Sequence, residues 1–146
     1  MLELKNVCKT FHPHTPSEKR ALKNLNLTLE EGDFVTGIGG NGAGKATMLN
    51  AIAGVWPIDS GSVLIGGEDV TRLPEHKRAV YLGRVFQDPM TGTAADMELE
   101  ENLALALRRG QRRGLVWGIR AKEREEYREL LKMLDLGLET RLKAKV

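Results

Sequence analysis

The segment that most constrains this chain is a glycine-rich loop, GGNGAGKAT, at residues 39–47. Five of the 16 glycines lie between Gly37 and Gly44, a density that a regular helix or strand does not carry. An apolar run at residues 34–38 precedes the loop and predicts a buried strand. Good helix formers follow from Lys45 to Ala53, with a stop signal at Gly54. A strand, a glycine loop and a helix in this order predict an α/β fold.

This loop has the composition of a phosphate-binding loop. Glycines let successive backbone N–H groups point inward at phosphate oxygens, and the following helix adds the positive end of its dipole. A lysine directly after the last glycine supplies a positive charge for the terminal phosphates. The alternative is a structural glycine turn without a ligand. We predict phosphate contacts from the whole loop: Gly39, Gly40, Asn41, Gly42, Ala43, Gly44, Lys45, Ala46 and Thr47.

Position 46 departs from the usual form of such a loop. The residue after the lysine is normally Ser or Thr, whose hydroxyl binds Mg²⁺. Here it is Ala46, and Thr47 comes one residue later. One step along a helix turns a side chain by about 100°, so Thr47 is not expected to substitute. We therefore expect a weakened Mg²⁺ site, whether the alanine is natural or engineered.

Hydrophobic periodicity outlines the rest of the chain. Alternating apolar residues predict strands over residues 2–11, 25–29 and 62–65, with a further apolar strand over residues 80–86. Helical spacing of leucines appears at residues 99–107, and a second stripe comprises Tyr127, Leu130, Leu131 and Leu134. A short helical turn is predicted near Pro74. Strands followed by helices predict two regions with a boundary near residues 87–97.

Composition and charge exclude several classes of protein. The 146 residues are about one domain, and 41% apolar residues are enough for a core. No apolar run has the length of a signal peptide or of a membrane span. The single cysteine, Cys8, is expected to be a small buried residue. Together these features lead us to expect a cytoplasmic protein. Net charge is −4 over residues 1–107 and +6 over residues 108–146. We interpret the basic segment as solvated helix surface, since its two aromatic residues, Trp117 and Tyr127, do not alternate with the basic residues as in a surface that binds nucleic acid by stacking.

Three stretches of sequence resemble the ATP-binding subunit of an ABC transporter. They are LELKNVCKTF, LEEGDFVTGIGGNGAGKAT and GRVFQDPMTGTAADMELEENLALA, and they follow the family's order along the chain. The resemblance implies an α/β P-loop NTPase fold with ATP and Mg²⁺ as ligands. It also implies a nucleotide-binding region over residues 1–95 and the start of the family's helical subdomain over residues 96–146.

The same resemblance gives roles to two residues outside the loop. Phe11 occupies the place of the aromatic residue that stacks on adenine in this family; the alternative is a phenylalanine of the core or of a loop. Gln87, in VFQDP and 42 residues after Lys45, matches the family's Q-loop glutamine. That glutamine meets the γ-phosphate, Mg²⁺ and the attacking water. The resemblance therefore implies that Lys45 and Gln87 are catalytic and that Gln87 is the metal ligand.

Three family motifs are missing from the 146 residues. These are the signature LSGGQ, an apolar strand ending in Asp-Glu and a switch histidine, and VLIGGED at residues 63–69 is only a mimic of the second. We therefore expect a truncated cassette, the N-terminal half, with exposed apolar strand edges. We also expect no significant ATPase activity from this chain alone.

The sequence around and after Gln87, FQDPMTGTAADMELEENLALA, most resembles that of ATPases of importers that work with substrate-binding proteins. This group is associated with aromatic amino acid uptake. By this resemblance the complete protein is a homodimer that binds a transmembrane permease at the inner face of the cell membrane. Two alternatives stay open at this point. One is a stand-alone P-loop nucleotide-binding module or small kinase, and the other is a nucleic-acid-binding protein that uses the basic segment.

Overall fold

The computed structural model describes residues 1–111 and 118–146. It consists of two compact units, Met1–Leu82 and Gly83–Val146. Residues 112–117 of the basic segment, residues 108–146, lie outside the described residues. Within the described ranges, no helix is long and apolar enough to cross a membrane.

A four-stranded antiparallel sheet organises the first unit. Its spatial order is β2-β1-β3-β4, and its strands are β1 (Leu2–Phe11), β2 (Lys19–Leu29), β3 (Ser60–Ile65) and β4 (Glu68–Asp69). The predicted strand over residues 2–11 is confirmed, and those over residues 25–29 and 62–65 are confirmed as parts of longer strands. Gly66 and Gly67, both with positive φ, form the turn between β3 and β4.

Helix α1 (Lys45–Ala53) packs its inner face into the core of this unit. Ala51 and Ile52 of the helix join Leu4, Val7 and Val63 of the sheet in one buried cluster. The predicted bounds of α1 are confirmed, and Gly54 ends it in the left-handed conformation at φ 81°. The short helix α2 (Glu75–Arg78) follows Pro74, which caps the helix instead of occupying its first turn. Cys8 is half-buried and hydrogen-bonded to Asn24, so it is not the buried apolar residue that was expected.

Two predicted strands are wrong. Residues 34–38 and residues 80–86 are not in any strand of the structure. Phe34, Ile38 and Val85 are 95%, 92% and 98% exposed. A strand forms only when a neighbour accepts and donates its backbone hydrogen bonds, and the sheet of the described residues stops at β1–β4. These apolar residues are therefore exposed, but they do not lie on the strand edges that were expected.

A buried arginine fixes the far end of α1. Arg78 is 1% exposed, and its guanidinium donates four hydrogen bonds to backbone carbonyls. Nη1 reaches the carbonyl oxygens of Ala51 at 2.7 Å and Ile52 at 2.9 Å, in the last turn of α1. Nε and Nη2 reach the carbonyl oxygens of Leu73 and Thr71, both at 2.8 Å. Burial lowers the pKa of Arg78, but an arginine stays protonated at neutral pH. Its charge therefore binds two carbonyls in the last turn of α1, of which that of Ala51 also accepts the Gly54 N–H at 3.3 Å, and opposes the negative end of the helix dipole.

The second unit contains helices α3 (Leu99–Leu107) and α4 (Ala121–Lys132) and the single turns Pro89–Thr91 and Leu138–Thr140. The predicted helix over residues 99–107 is confirmed. Tyr127 and Leu131 of α4 are buried with Ala104 and Leu142. The predicted stripe was too long, because Leu130 and Leu134 are 42% and 56% exposed and Leu134 lies beyond the helix.

Acidic residues pair with much of the basic surface of the second unit. Arg124 binds both carboxylate oxygens of the buried Glu100 at 2.8 Å, and this contact holds the pKa of Glu100 below its usual range. Arg108 pairs with Glu123 at 2.7 Å, and α4 carries two further pairs, Arg128–Glu125 and Lys132–Glu129. Basic side chains that are paired with acidic neighbours support the interpretation of this segment as a solvated helix surface.

Substituting Arg78 tests the anchoring of α1. We expect Arg78→Met to lower the free energy of unfolding of the chain by roughly 3 kcal/mol, because several buried carbonyls lose their donor. Arg72→Met, at an exposed position of the same unit, is the matched control and should change stability by less than about 0.5 kcal/mol. Urea unfolding of the three proteins measures both values. Equal free energies of unfolding for the two variants would show that Arg78 does not anchor α1.

Candidate functional site

The glycine loop runs directly into the first turn of α1. Gly42 and Gly44 have φ values of 83° and 89°, a left-handed conformation that other residues adopt only with strain. The N–H of Ala43 donates to the carbonyl of Gly40 at 3.2 Å, which closes a turn, and the N–H of Met48 donates to the carbonyl of Gly44 at 2.8 Å as the helix begins. The helix N-terminus and the loop amides are therefore parts of one continuous turn.

The loop approaches strand β2 closely at Gly44. A Cβ atom on Gly44 would lie 2.7 Å from the carbonyl oxygen of Ala21 and 3.5 Å from the side chain of Leu22. Only a residue without a side chain fits here, for reasons of space as well as of backbone conformation. The phosphate-loop candidate is thus fixed against the beginning of β2.

Lys45 is the first residue of α1, and its ammonium group turns back over the loop. It donates hydrogen bonds to the carbonyl oxygens of Gly39 and Gly40, the latter at 2.9 Å. The side chain is only partly exposed. Two loop carbonyls therefore hold the ammonium over the loop, and its predicted contact with phosphate stays a prediction.

The next two residues of α1 face in different directions. Ala46 is exposed, whereas Thr47 is 9% exposed and belongs to the buried face of α1. The prediction that Thr47 cannot replace a hydroxyl at position 46 agrees with this burial. Across residues 1–111 and 118–146, no three His, Cys, Asp or Glu side chains come together as a metal site.

Phe11 lies at the end of β1 and is half-buried. Its ring meets the ring of Trp56 edge to face, with centroids 5.0 Å apart and planes at 83°, a favourable arrangement for two aromatic rings. The ammonium of Lys9 lies 5.6 Å from the Phe11 centroid. The sequence analysis missed Trp56, because no spacing rule links a residue just past α1 to one at the end of β1.

Asp59 holds the end of β1 in place. Its carboxylate accepts hydrogen bonds from the backbone N–H of Thr10 at 2.5 Å and from the Lys9 ammonium at 3.1 Å. Burial by itself raises the pKa of Asp59, but these two hydrogen bonds outweigh burial and hold its pKa below the usual range. Asp59 is therefore charged at neutral pH and positions the backbone immediately before Phe11.

Gln87 belongs to the second unit, where it is exposed and lies just before the Pro89–Thr91 turn. The neighbouring Asp88 caps that turn through hydrogen bonds from the Met90 N–H at 3.0 Å and the Thr91 hydroxyl at 3.3 Å. Lys45 and the rest of the loop belong to the first unit. The predicted role of Gln87 beside Lys45 stays a prediction.

The fold and the loop together define a P-loop nucleotide-binding cassette, and comparison with known proteins agrees. The family model described as ABC transporter matches residues 22–145. This chain belongs to that family, so a small P-loop kinase is excluded as its class.

Individual relatives carry the names of transport ATPases. A tyrosine transport ATP-binding protein of Clostridioides difficile strain R20291 is 38% identical over 146 residues, covering 100% of this chain and 58% of the relative. The spermidine/putrescine import ATP-binding protein PotA of Pasteurella multocida strain Pm70 is 34% identical over 108 residues, 74% of this chain and 27% of that protein.

The similar solved structures are also ATP-binding cassettes. The dimeric ATP-binding cassette MJ0796 in a post-hydrolysis state with ADP and Pi superposes with a TM-score of 0.77 at 33% identity, over 99% of this chain and 61% of that one. A nucleotide-free ATP-binding cassette of an ABC transporter gives a TM-score of 0.72 at 26% identity, over 99% of this chain and 57% of that one. The chain thus spans about three-fifths of the length of these two structures and of the tyrosine transport relative, and it has the fold of a partial ABC cassette.

Proposed function

We propose that this chain is the nucleotide-binding part of the ATP-binding subunit of an ABC transporter. The observation that carries the proposal is the glycine loop, in which Gly42 and Gly44 take positive φ directly before the N-terminus of α1. Backbone N–H groups in such a turn, added to the helix dipole, form a site for a phosphate chain. Family membership supports ATP as the nucleotide.

Lys45 supplies the side-chain charge in this proposal. Its ammonium now donates to the carbonyls of Gly39 and Gly40. Phosphate oxygens are stronger acceptors than these neutral carbonyls, because they carry negative charge. Nucleotide binding would therefore exchange carbonyl contacts of Lys45 for phosphate contacts without moving its backbone.

Phe11 supplies a face for adenine. Trp56 contacts Phe11 edge to face, and the half-buried ring keeps exposed surface for a ligand. A base that stacks on an aromatic ring gains about 1–3 kcal/mol. Support for this role comes from the position of Phe11 at the end of β1, which Asp59 fixes through Thr10.

The loop offers Mg²⁺ no side-chain oxygen at position 46. Ala46 carries no oxygen, and Thr47 lies on the buried face of α1. Magnesium prefers six oxygen ligands and fills open positions with water. The residues of the loop therefore fit the phosphates but fit a tightly held metal poorly, and we propose a weakened Mg²⁺ site. Gln87 is the proposed protein ligand.

The wider proposal concerns the complete protein. It would hydrolyse ATP as a homodimer and drive solute import through a transmembrane permease, at the cytoplasmic face of the membrane. In this division of labour, residues 1–95 bind nucleotide and residues 96–146 begin the helical region that meets the permease.

We propose an aromatic amino acid as the solute, delivered by a substrate-binding protein. Support comes from the match over the whole chain to a relative named for tyrosine transport. The matches to relatives named for spermidine and putrescine import cover only 74% of the chain.

Nucleotide titration of a Lys45 variant tests the proposed site. We expect Lys45→Met to weaken ATP binding about 10- to 100-fold, the effect of losing a hydrogen bond between charged groups. Lys77→Met, on the exposed surface of α2, is the control with the same change of charge. Calorimetric titration of both variants measures the dissociation constants. Equal ATP affinity of the two variants would contradict nucleotide binding at this loop.

Replacing Phe11 separates base recognition from phosphate recognition. We expect Phe11→Ala to weaken ATP by about 1–3 kcal/mol, because a stacking surface is lost. Inorganic triphosphate has no ring, so its affinity should stay nearly the same. Competition titrations with both ligands provide the measurement, and equal losses for the two would assign Phe11 to the core and not to the adenine site.

Restoring a hydroxyl at position 46 tests the metal proposal. We expect Ala46→Ser to tighten ATP binding by roughly 1–2 kcal/mol in magnesium, the value of one contact to a charged group. The same variant should bind ATP almost as the parent chain does when a chelator removes the metal. Titrations in both conditions are needed. An equal gain with and without magnesium would show that the hydroxyl acts on phosphate or on helix stability.

A further inference from the structure

The structure brings a second lysine to the phosphate loop. Lys19 is the first residue of β2 and is exposed. A Cβ atom on Gly42 would lie 3.3 Å from the Nζ of Lys19, slightly closer than ordinary van der Waals contact with the ammonium. Lys19 is 26 residues away from Lys45 in the sequence, and the loop motif gives no reason to expect it here.

Strand pairing explains why Lys19 reaches this place. β1 and β2 are antiparallel, and Phe11 pairs directly with Lys19. Two residues further along β2, the Ala21 carbonyl makes the close approach to Gly44. The beginning of β2 therefore runs beside the loop from Gly42 to Gly44. Lys19 stands on this strand between the proposed adenine contact and the proposed phosphate contacts.

The charge of Lys19 is not neutralised by its neighbours. Among the described residues, its ammonium has no hydrogen bond or ion pair. The adjacent carboxylate, Glu18, is already engaged by the Arg20 side chain at 3.2 Å and by the backbone N–H of His14 at 3.0 Å. An unpaired ammonium beside a turn of inward-pointing N–H groups adds positive potential where anionic phosphates would bind.

We propose that Lys19 is a second cationic contact for the phosphate chain of the bound nucleotide. It acts from β2 above Gly42, while Lys45 acts from α1. This inference rests on the proposed nucleotide site and extends it to a residue outside the loop. The contribution of Lys19 grows with phosphate charge, so the residue favours ATP over ADP and ADP over AMP.

The test compares Lys19→Gln with Lys23→Gln. Lys23 is exposed on the same strand, about 13 Å further along it, and its replacement changes the net charge equally. Titrations with ATP, ADP and AMP in the presence of a chelator remove any influence of the metal. We expect Lys19→Gln to weaken ATP about 5-fold, the upper range for one exposed ion pair, with a smaller loss for ADP and almost none for AMP. Lys19→Arg should retain most of the ATP affinity.

Two outcomes would overturn the proposal. One is an ATP affinity for Lys19→Gln equal to that of Lys23→Gln, and the other is an equal loss for ATP and AMP. The Lys45→Met variant is titrated in the same series. It distinguishes a wrong role for Lys19 from a wrong assignment of the nucleotide site. If Lys45→Met loses ATP and Lys19→Gln does not, the loop binds nucleotide without Lys19. If neither substitution matters, the nucleotide site itself is wrong.

Discussion

The close approach between Gly44 and the carbonyl of Ala21 is the constraint on which the candidate site depends. At this point the loop has φ 89°, and a Cβ atom would lie 2.7 Å from the carbonyl oxygen. Because a hydrogen replaces the Cβ, the loop can lie against β2 and then enter α1. The pairing of β2 with β1 then places Phe11 opposite Lys19, whose ammonium approaches Gly42 of the loop. The close approach at Gly44 therefore holds the loop that is proposed to bind phosphates against the strand that pairs with Phe11, the proposed base contact.

Helix α1 is fixed at both of its ends by different physical means. At the N-terminus, steric fit at Gly44 determines where the helix begins. At the C-terminus, the buried guanidinium of Arg78 binds the carbonyls of Ala51 and Ile52. Since the N-terminal N–H groups of α1 are proposed to bind phosphate, a helix that cannot shift along its axis keeps those donors in position.

Local sequence signals predicted the parts of the structure that local forces determine. The bounds of β1, α1 and α3 follow from alternation, helix formers and a glycine stop. The predicted strands at residues 34–38 and 80–86 were wrong because strand formation also requires a hydrogen-bonding neighbour, which an apolar run does not reveal. The contacts of Trp56, Arg78 and Lys19 join residues that are distant in sequence. Spacing patterns along the chain therefore could not predict them. The roles of Gln87 and of Phe11 still rest on the family pattern and on proposal.

The central claim is that the backbone N–H groups of the loop bind the phosphates of a nucleotide, and amide chemical shifts test it most directly. ATP is added to the isotopically labelled chain in chelator, and the ¹H–¹⁵N resonances of all residues are followed by NMR. We expect the saturable shifts to be largest for residues 40–47, at the loop and the first turn of α1. Saturable binding that leaves these amides unchanged and shifts residues of the second unit instead would contradict it.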